Sequence, residues 1–520
     1  MDVLYRTGET QQGITTYTPR LVSLNLQGSL GSISSHGTLY NEVAPVPSYA
    51  TTWTGNVSTH ASEPYKKNLF LKSLCVEEQE NLTMANGVNS RNDGSKREFL
   101  DKDIVESLEN GVQFWTDFSK VHYHPKSLYE LSGVWMGVQD FDNYGIGWDA
   151  FSWTSQGEEI SERLRFFVED WVSMDDSGGF SSVAADFLEN IADEYTNTPI
   201  LLFSVRGPTP DINPESRKQA VSRDLHDAVS FSRLSPYCKL IVPTGLPRLS
   251  GSKASRFLNI VDEKPYHCSA VYAAALLSIS LPFRMEPVGP TASSSYVSGA
   301  MDVNEVVQML AGQARQNMVQ ILDVAMPAPS LSGKQNEMTL LENLLPLTPD
   351  VAENVEDLQA VEFMTVLGAL SAEGHRASVS QVRDLVHAAF QHIDTRPVFF
   401  HLAVSLCPLP IPLTFPSIFS NLVGQQGELV GSPISESSSR GSLDVHSIPM
   451  AARLRSSSAV LPLLQSRLRN LHGLGIQRGA PGAQLLRSWG FEKDELEEMG
   501  EMLSKMVVAL DSHQISSDSD

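Results

Sequence analysis

Residues 175–205 constrain the fold more than any other part of the sequence. A turn of small residues, 177–182, leads into an amphipathic helix that ends near Tyr195, and an apolar run over residues 200–205 follows. The inward face of the helix repeats at helical spacing: Val183, Phe187, Leu188 and Ile191. A glycine turn, a helix and then an apolar strand make the repeating unit of a parallel sheet. The sequence therefore predicts an α/β fold.

Charge restricts the classes of partner. The chain has 520 residues, with 38 Lys and Arg against 61 Asp and Glu, so its formal net charge is −23. At about 150 residues per domain, this length predicts two or more domains. An acidic chain repels phosphate backbones and anionic lipid surfaces. We therefore expect no nucleic-acid partner.

The cysteines and apolar runs indicate a reduced, cytosolic protein. No two of the four cysteines have metal-ligand spacing, so neither a disulfide framework nor a zinc site is predicted. The longest apolar run, near residues 270–281, is far shorter than the roughly 20 residues that span a bilayer. The first residues lack the basic and apolar regions of a secretory signal. We expect no transmembrane segment.

Hydrophobic periodicity predicts further elements along the chain. A strand is predicted at 21–26 and another at 398–404. Helices are predicted at 103–118, 157–168, 266–279, 304–324, 352–370, 379–393 and 451–471. The last helix carries a single apolar face: Leu496, Met499, Leu503, Met506, Val507 and Leu510. Its other side chains are mostly acidic, which predicts either a solvated face or a partner-binding face.

The glycine turn is the best candidate site. Its candidate anion-binding residues are Ser177, Gly178, Gly179, Ser181 and Ser182. Small residues let backbone amides approach a phosphate at the positive end of the following helix. The same residues also suit a plain turn, in which glycines adopt positive φ and serines cap the helix. The sequence alone favours the plain turn.

No motif predicts catalysis or a metal centre. His122 and His124 lie on one face of an extended segment, but no third ligand stands at suitable spacing, so a packed loop is expected. The sequence has neither a Gly-x-Ser-x-Gly elbow nor a Walker A motif. We therefore predict no catalytic residues and no metal ligands.

Short motifs occur in a fixed order along the chain: Asp2-Val3-Leu4-Tyr5-Arg6-Thr7-Gly8, Tyr17-Thr18-Pro19-Arg20-Leu21, Gly28-Ser29-Leu30, Trp115-Thr116-Asp117-Phe118, Val121-His122-Tyr123-His124-Pro125 and Tyr266-His267-Cys268-Ser269-Ala270. In this order they resemble the Misato family, a divergent branch of the tubulin and FtsZ superfamily. The glycine turn with its helix and strand resembles tubulin's signature loop, and Met326-Pro327-Ala328-Pro329 resembles the start of tubulin's intermediate domain. The resemblance implies a tubulin-like nucleotide-binding fold.

Departures from tubulin bear on activity. Where tubulin's turn near magnesium is acidic, this chain has Asn25 and Gln27, which lack the negative charge that a metal favours. Phe180 stands where tubulin's signature loop has glycine, so its ring would fill space that a phosphate needs. The loop after the central helix has no counterpart of tubulin's acidic residue. These differences argue against GTP hydrolysis.

Two more departures concern the sheet. Compared with the family, the chain begins after a first strand and helix, and a longer segment that forms a buried strand is replaced by residues 170–174. Five residues cross a sheet only if almost no turn is needed. The expectation is a sheet that lacks one strand, the family's first, and in which a second strand is distorted.

The predicted fold class is α/β: a tubulin/FtsZ-like parallel sheet domain, a second α/β domain and carboxyl-terminal helices. The predicted boundaries are 1–265 for the tubulin-like domain, 266–425 for the central helix and intermediate-type domain, 426–450 for a serine-rich linker, and 451–520 for the terminal helices with an acidic end.

The resemblance implies a non-catalytic protein acting in mitochondrial distribution, morphology and inheritance through protein–protein docking. It implies a cytoplasmic pool, peripheral attachment to the outer mitochondrial surface, protein partners and no required cofactor. The alternative is a GTP-binding switch or slow GTPase, supported by the glycine turn and by Asp175 and Asp176 before it. A polymer subunit has less support, because tubulin polymer contacts are built around bound nucleotide.

Overall fold

The computed structural model describes residues 4–9, 15–33, 65–84, 94–124, 126–131, 141, 143–151, 162, 171–175, 178–194, 199–207, 217–246, 256–286, 296–311, 318–331, 340–352, 355, 357, 359–391 and 397–515. The chain forms two compact units. One comprises residues 1–137 and 158–168, and the other comprises residues 138–157 and 169–520.

The described part of the first unit contains the following strands and helices. Its elements are β1 (Tyr5–Glu9), β2 (Thr15–Pro19), β3 (Ser23–Leu26), α1 (Leu69–Met84), α2 (Gly94–Gly111) and β4 (Leu128–Leu131). Strands β1 and β2 are antiparallel, whereas β3 and β4 are parallel. Leu30, Tyr123 and Leu128 form a buried cluster beside them. The strand predicted at 21–26 is confirmed as β3.

Helix α2 ends earlier than predicted. The predicted helix continued to residue 118, but α2 ends at Gly111 and a separate 3₁₀ turn, Trp115–Phe118, follows. The Asp117 carboxylate accepts the backbone N–H groups of Gln113 and Phe114 at 2.9 and 3.0 Å. These bonds satisfy donors outside α2, so the apolar spacing continues through a capped turn instead of a helix.

The second unit begins with alternating helices and strands. They are α3 (Tyr144–Phe151), β5 (Trp171–Asp175), α4 (Phe180–Glu194), β6 (Leu201–Arg206), α5 (Arg217–Leu234) and β7 (Leu240–Gly245). The three strands form a parallel sheet in the order β5-β6-β7. The predicted sequence of glycine turn, helix and strand is confirmed by α4 and β6. The helix predicted at 157–168 lies outside the described residues, apart from residue 162.

The shortened segment forms a strand. Residues 170–174 were expected to cross the sheet only if almost no turn was needed, with a distorted strand as the result. The strand forms with a regular register: β5 pairs with β6 at five successive positions, from Trp171 opposite Leu201 to Asp175 opposite Val205. A five-residue strand spans about 16 Å, which is long enough for this ladder. The glycine turn therefore follows a paired strand, as in other parallel α/β units.

A mixed six-stranded sheet forms the centre of the second unit. Its order is β10-β9-β17-β11-β12-β8. The strands are β8 (Val297–Ser298), β9 (Ile321–Ala325), β10 (Leu345–Pro346), β11 (Val361–Leu367), β12 (Phe399–Ser405) and β17 (Met450–Ser456). Short strand pairs flank it: β13 (Leu409–Pro410) with β16 (Ser447–Ile448), and β14 (Phe419–Ser420) with β15 (Ser439–Arg440).

Apolar clusters cover both faces of this sheet. Helices α6 (Pro265–Ile279) and α7 (Val303–Ala311) pack on one face, where Phe363 and Leu454 are fully buried. Helix α8 (Val379–Gln391) packs on the other face beside Met364. The predicted central buried helix, the helix at 379–393 and the strand at 398–404 are confirmed by α6, α8 and β12.

Three predicted helices were wrong in part or entirely. The helix predicted at 304–324 ends at Ala311, and β9 occupies its final residues. The helix predicted at 352–370 is replaced by β11, and the one predicted at 451–471 begins as β17. Most side chains of these strands are buried on both faces, including the charged Asp323 and Glu362, so periodicity does not distinguish the strands from a buried helix.

The serine-rich segment 426–450 is not a free linker. The buried Arg440 guanidinium donates to the carbonyl oxygens of Val423 and Asp444, and Val445 and Ile448 are fully buried. These contacts fix the segment within the second unit, because a buried arginine and two apolar side chains tie it to the rest of the chain.

The carboxyl end is helical. It consists of α9 (Leu461–Asn470), a π-helical turn (Leu471–Ile476), α10 (Ala483–Ser488) and α11 (Lys493–Ile515). Leu496, Met499, Leu503 and Leu510 of α11 are buried, which confirms the predicted apolar face. Helix α11 packs against α9 and α5.

Candidate functional site

The predicted glycine turn lies between β5 and α4. Gly178 has a φ of 59°, the left-handed conformation that glycine adopts without a side-chain clash. Gly179 follows it, and α4 begins at Phe180. Ser177 and Asp176 lie outside the described residues. The structure therefore places four of the five predicted anion-binding residues together at the start of one helix.

Helix α3 covers this turn. A Cβ atom added to Gly147 of α3 would overlap the Gly179 carbonyl, and one added to Gly179 would lie 2.9 Å from the Gly147 Cα and 2.6 Å from the Phe141 ring. The Gly179 N–H donates to the Phe141 carbonyl at 2.9 Å. The rings of Phe141 and Phe180 meet edge to face, 5.0 Å between centroids. The chain's own atoms thus occupy the side of the turn formed by Gly179.

The two described serines of the turn point into the protein. Both Ser181 and Ser182 are fully buried. The Ser182 hydroxyl donates to the Gly179 carbonyl at 2.8 Å, and the Ser181 hydroxyl donates to the Ser230 hydroxyl on α5. A phosphate cradle needs donors directed at the anion. Here the two hydroxyls and the Gly179 N–H are directed at protein acceptors, so the described residues do not fit a bound phosphate.

Asn25, which stands where tubulin's turn near magnesium is acidic, has a structural role. Asn25 is buried at the end of β3, and its side-chain N–H₂ donates to the carbonyls of Ser23 and Tyr129 at 3.0 and 3.3 Å. Its side-chain oxygen accepts the Trp115 indole N–H at 3.1 Å. Gln27, the other predicted departure, is exposed. Asn25 therefore joins three segments of the first unit, and its oxygen faces a donor rather than a cation.

The histidine pair lies in a packed loop. Tyr123 is buried between His122 and His124, and its hydroxyl lies 2.6 Å from the Ser119 hydroxyl. The His124 Nδ1 accepts the Lys126 backbone N–H at 3.1 Å, which fixes that ring within the loop. In the parts of the chain that the structure describes, no three His, Cys, Asp or Glu side chains come together as metal ligands.

The sequence analysis missed the role of α3, which contacts the glycine turn on one side and the carboxyl-terminal segment on the other. A Cβ added to Gly145 would lie 2.8 Å from the Trp489 Cα, so the backbone of α3 lies close to Trp489 at Gly145, as it lies close to Gly179 at Gly147. The available signal was the Gly-Ile-Gly sequence at 145–147, because glycine inside a helix often marks a close backbone approach. Helix α3 thus joins two regions that the sequence treated separately.

An aromatic cluster surrounds this junction. Tyr144 of α3 lies 5.3 Å from Phe491 and 6.4 Å from His226 of α5, and His226 lies 6.3 Å from Trp489, between ring centroids. Burial raises the pKa of Tyr144 despite the neighbouring Arg233 guanidinium, so this phenol stays neutral at physiological pH. The cluster is a packed apolar contact that fixes the carboxyl-terminal helices against α3 and α5.

The outer face of α11 is strongly acidic. Its exposed carboxylates belong to Asp494, Glu495, Glu497, Glu498, Glu501 and Asp511, against two exposed lysines at 493 and 505. Lys493 pairs with Glu497 at 2.7 Å. The remaining carboxylates leave a net negative surface on a helix whose inner face is fixed in the core. Such a rigid, charged surface can dock a basic partner.

The apolar content of the helices bears on membrane association. No helix among the described residues is long and apolar enough to cross a bilayer.

Comparisons with known proteins identify related chains. Residues 1–76 match the Misato Segment II tubulin-like domain, and residues 106–285 match the Tubulin domain. The chain is 28% identical to protein misato homolog 1 of Mus musculus, over 97% of this chain and 90% of the mouse protein. It is 25% identical to protein misato homolog 1 of Homo sapiens over the same shares. It is also 28% identical to protein DML1 of Gibberella zeae, over 58% of this chain and 56% of that protein.

Proposed function

We propose that this Misato-type protein, whose predicted family resemblance and tubulin-like fold the comparisons confirm, acts without catalysis as a docking scaffold in mitochondrial distribution, morphology and inheritance. The scaffold has a cytoplasmic pool and attaches peripherally to the outer mitochondrial surface through protein partners. The mitochondrial part of this proposal is supported by the resemblance to the Misato family. The absence of catalysis is supported by the geometry of the glycine turn.

The closed glycine turn carries the non-catalytic part of the proposal. A helix amino terminus binds phosphate when its N–H groups and the space before them are free. Here the Gly179 N–H is bonded to Phe141, and α3 approaches so closely that neither Gly147 nor Gly179 has room for a methyl group. A nucleotide phosphate at Gly179 would have to displace α3, which is also packed against Trp489. Opening the turn therefore means disrupting part of the core.

The neutral turn at Asn25 supports the same proposal. Hydrated magnesium at a nucleotide site is commonly held through carboxylates, which supply charge as well as oxygen atoms. Asn25 supplies a neutral amide whose oxygen already accepts the Trp115 N–H. This position therefore offers no carboxylate for the metal that would assist hydrolysis.

Equilibrium binding of labelled GTP in the presence of magnesium tests this part of the proposal. The purified full chain should show no saturable binding at micromolar nucleotide, and no guanine nucleotide should be released when freshly isolated protein is denatured. Tubulin measured in the same buffer serves as the positive control. Stoichiometric GTP retained through gel filtration would overturn the non-catalytic proposal and favour the GTP-binding switch.

The docking part of the proposal centres on the acidic face of α11. Glu497, Glu498 and Glu501 are exposed and lie within about one helical turn of one another, so their charges combine into one surface. Replacing all three with glutamine removes the charge and keeps the length of each side chain. We expect this variant to lose attachment to mitochondria and to restore organelle distribution poorly in cells depleted of the endogenous protein.

A matched control variant distinguishes a requirement for the acidic face of α11 from a requirement for the net charge of the whole chain. Glu373, Asp384 and Asp444 are also exposed, and they lie outside α11. Replacing these three acids with their amides changes net charge equally and should leave attachment intact. Equal attachment by both variants would remove α11 as the docking face. If the control variant lost attachment as well, the requirement would be for net charge alone.

A further inference from the structure

Residues 431–439 form a serine-rich surface loop of the second unit. All of them are exposed except Ser435 and Ser439, which are half-buried. The Ile434 N–H donates to the Asn421 carbonyl at 2.9 Å, and the Asn421 side-chain N–H₂ donates to the Ser435 carbonyl at 3.3 Å. The loop therefore has a defined path, held by these hydrogen bonds, and Ser432 lies on its exposed side.

We propose that Ser432 of this loop is a phosphorylation site for a proline-directed serine/threonine kinase. Pro433 follows it directly, and both residues are exposed. A residue before proline favours an extended backbone, the conformation in which a kinase cleft binds its substrate. Proline also lacks an N–H group, so a kinase pocket that accepts it need not supply an acceptor.

Burial distinguishes Ser432 from the other candidate acceptors. Four Ser-Pro or Thr-Pro pairs fall within the described residues. Three of their hydroxyl-bearing residues are buried: Thr18 is 4% exposed, Ser235 is 1% exposed and Thr348 is 3% exposed. Ser432 is the only exposed member of these four. The threonines of two more threonine–proline pairs, Thr198 and Thr209, lie outside the described residues.

Hydrogen bonding also distinguishes the hydroxyl of Ser432 from the buried hydroxyls. The Thr348 hydroxyl accepts the Leu322 backbone N–H at 2.9 Å, and the Ser235 hydroxyl donates to the Ser232 carbonyl at 3.3 Å. A phosphate on either oxygen would break a buried hydrogen bond and bury two negative charges. The Ser432 hydroxyl bonds to none of the described residues. Phosphorylation of Ser432 therefore breaks no such hydrogen bond and buries no charge, unlike phosphorylation of Thr348 or Ser235.

The reaction is an ordinary phosphoryl transfer with ATP as donor. The Ser432 Oγ bonds to the γ-phosphorus, the bond from that phosphorus to the β,γ-bridging oxygen breaks, and ADP leaves with the electron pair. The hydroxyl proton passes to the carboxylate base of the kinase. The product carries about two additional negative charges at the loop surface. Because no described basic side chain is bonded to this serine, the phosphate stays in solvent, where a cationic partner could bind it.

The test uses the folded full chain, a proline-directed kinase, ATP and magnesium, with the site mapped by tandem mass spectrometry. We expect one phosphate on Ser432, and incorporation at this position should disappear in Ser432→Ala and in Pro433→Ala. The control is the exposed Ser437, which no proline follows and whose hydroxyl donates to the Ser439 carbonyl at 2.8 Å; Ser437→Ala should be modified at the wild-type rate. The melting temperature of the modified chain should stay within about 2 °C of the unmodified one, as for other surface changes.

Three outcomes would overturn the proposal. The first is native incorporation that persists at the same rate in Ser432→Ala. The second is phosphate confined to Thr198 or Thr209. The third is modification of a synthetic peptide of residues 425–440 while the folded chain stays unmodified, which would show that the loop shields its serine. Modification of Ser235 or Thr348 only after denaturation would support the burial argument.

Discussion

Gly147 shows how one residue decides whether the glycine turn can close. Its Cα packs against the Gly179 backbone, where any side chain would overlap the Gly179 carbonyl and the Ser182 hydroxyl. We expect Gly147→Ala to lower the free energy of unfolding by about 1–3 kcal/mol, because overpacking outweighs the better helix propensity of alanine. Urea denaturation measures this change.

Gly111 is the matched control for that substitution. It is the last residue of α2, whereas Gly147 lies within α3, and a Cβ added at Gly111 would meet nothing within 4 Å. Gly111→Ala should change stability by about 0.5 kcal/mol or less. Equal effects at the two glycines would mean that α3 does not press against the turn.

Asn25 offers a second test at the residue scale. Asn25→Asp puts a carboxylate where tubulin has one, but it would face the Ser23 and Tyr129 carbonyls, which need a donor. We expect a loss of about 1–3 kcal/mol in unfolding free energy and no gain of magnesium-dependent GTP binding. Calorimetry and nucleotide binding measure the two effects. As the control, Gln27→Glu at an exposed position should change neither the unfolding free energy nor GTP binding. A gain of GTP binding by Asn25→Asp would show that the missing negative charge alone prevents binding at this site.

Among the elements, the buried strands of the six-stranded sheet contain an ionic cluster. Arg453 of β17 bonds to Asp323 of β9 at 2.7 Å and to Glu362 of β11 at 3.0 Å, and Arg455 lies 3.3 Å from Asp323. Burial alone would raise the pKa of Asp323, but the two guanidinium groups outweigh it and hold that pKa below its ordinary value. The cluster therefore ties three neighbouring strands together while Asp323 is ionised.

This arrangement predicts how stability depends on pH. Because the pKa of Asp323 is lowered by folding, its contribution is complete above the unfolded value of about 3.9 and is lost as pH falls through the lower folded pKa. Arg453→Met should cost about 3–5 kcal/mol at pH 7, since it leaves buried carboxylates without their partner. The difference from wild type should shrink as pH falls below the unfolded value of about 3.9, because the contribution of ionised Asp323 is then lost. Unfolding midpoints across pH measure it, with the exposed Arg383→Met as a control that shows neither effect.

Sequence patterns predicted the elements unevenly, for physical reasons. Helices α4, α8 and α11 each have a polar outer face, so their spacing identified them. Strands β9, β11 and β17 have both faces buried and were mistaken for helix. The glycine turn itself was located correctly. Its closure was not foreseen, because the contact between Gly147 and Gly179 joins positions 32 residues apart that no local pattern connects.

At the scale of the whole molecule, the acidic carboxyl end belongs to the fold as much as to any partner surface. Phe491, Leu496 and Leu503 are buried, and the Met502 sulfur accepts the hydroxyl of Ser235, the residue directly after α5, at 3.4 Å. Removing residues 491–520 would strip an apolar face from α5 and α9 as well as the acids. Loss of mitochondrial attachment after such a deletion would therefore say nothing about docking.

Single substitutions on α11 separate the two roles. Leu503 is fully buried, and Leu503→Ala should lower the free energy of unfolding by about 2–5 kcal/mol through the cavity it leaves. Val508 lies on the same helix and is 62% exposed, so Val508→Ala should change stability by about 0.5 kcal/mol or less. Thermal melts measure both. A neutral Leu503→Ala would mean that α11 is not packed in the core. In that case the deletion of residues 491–520 would become a valid test of docking.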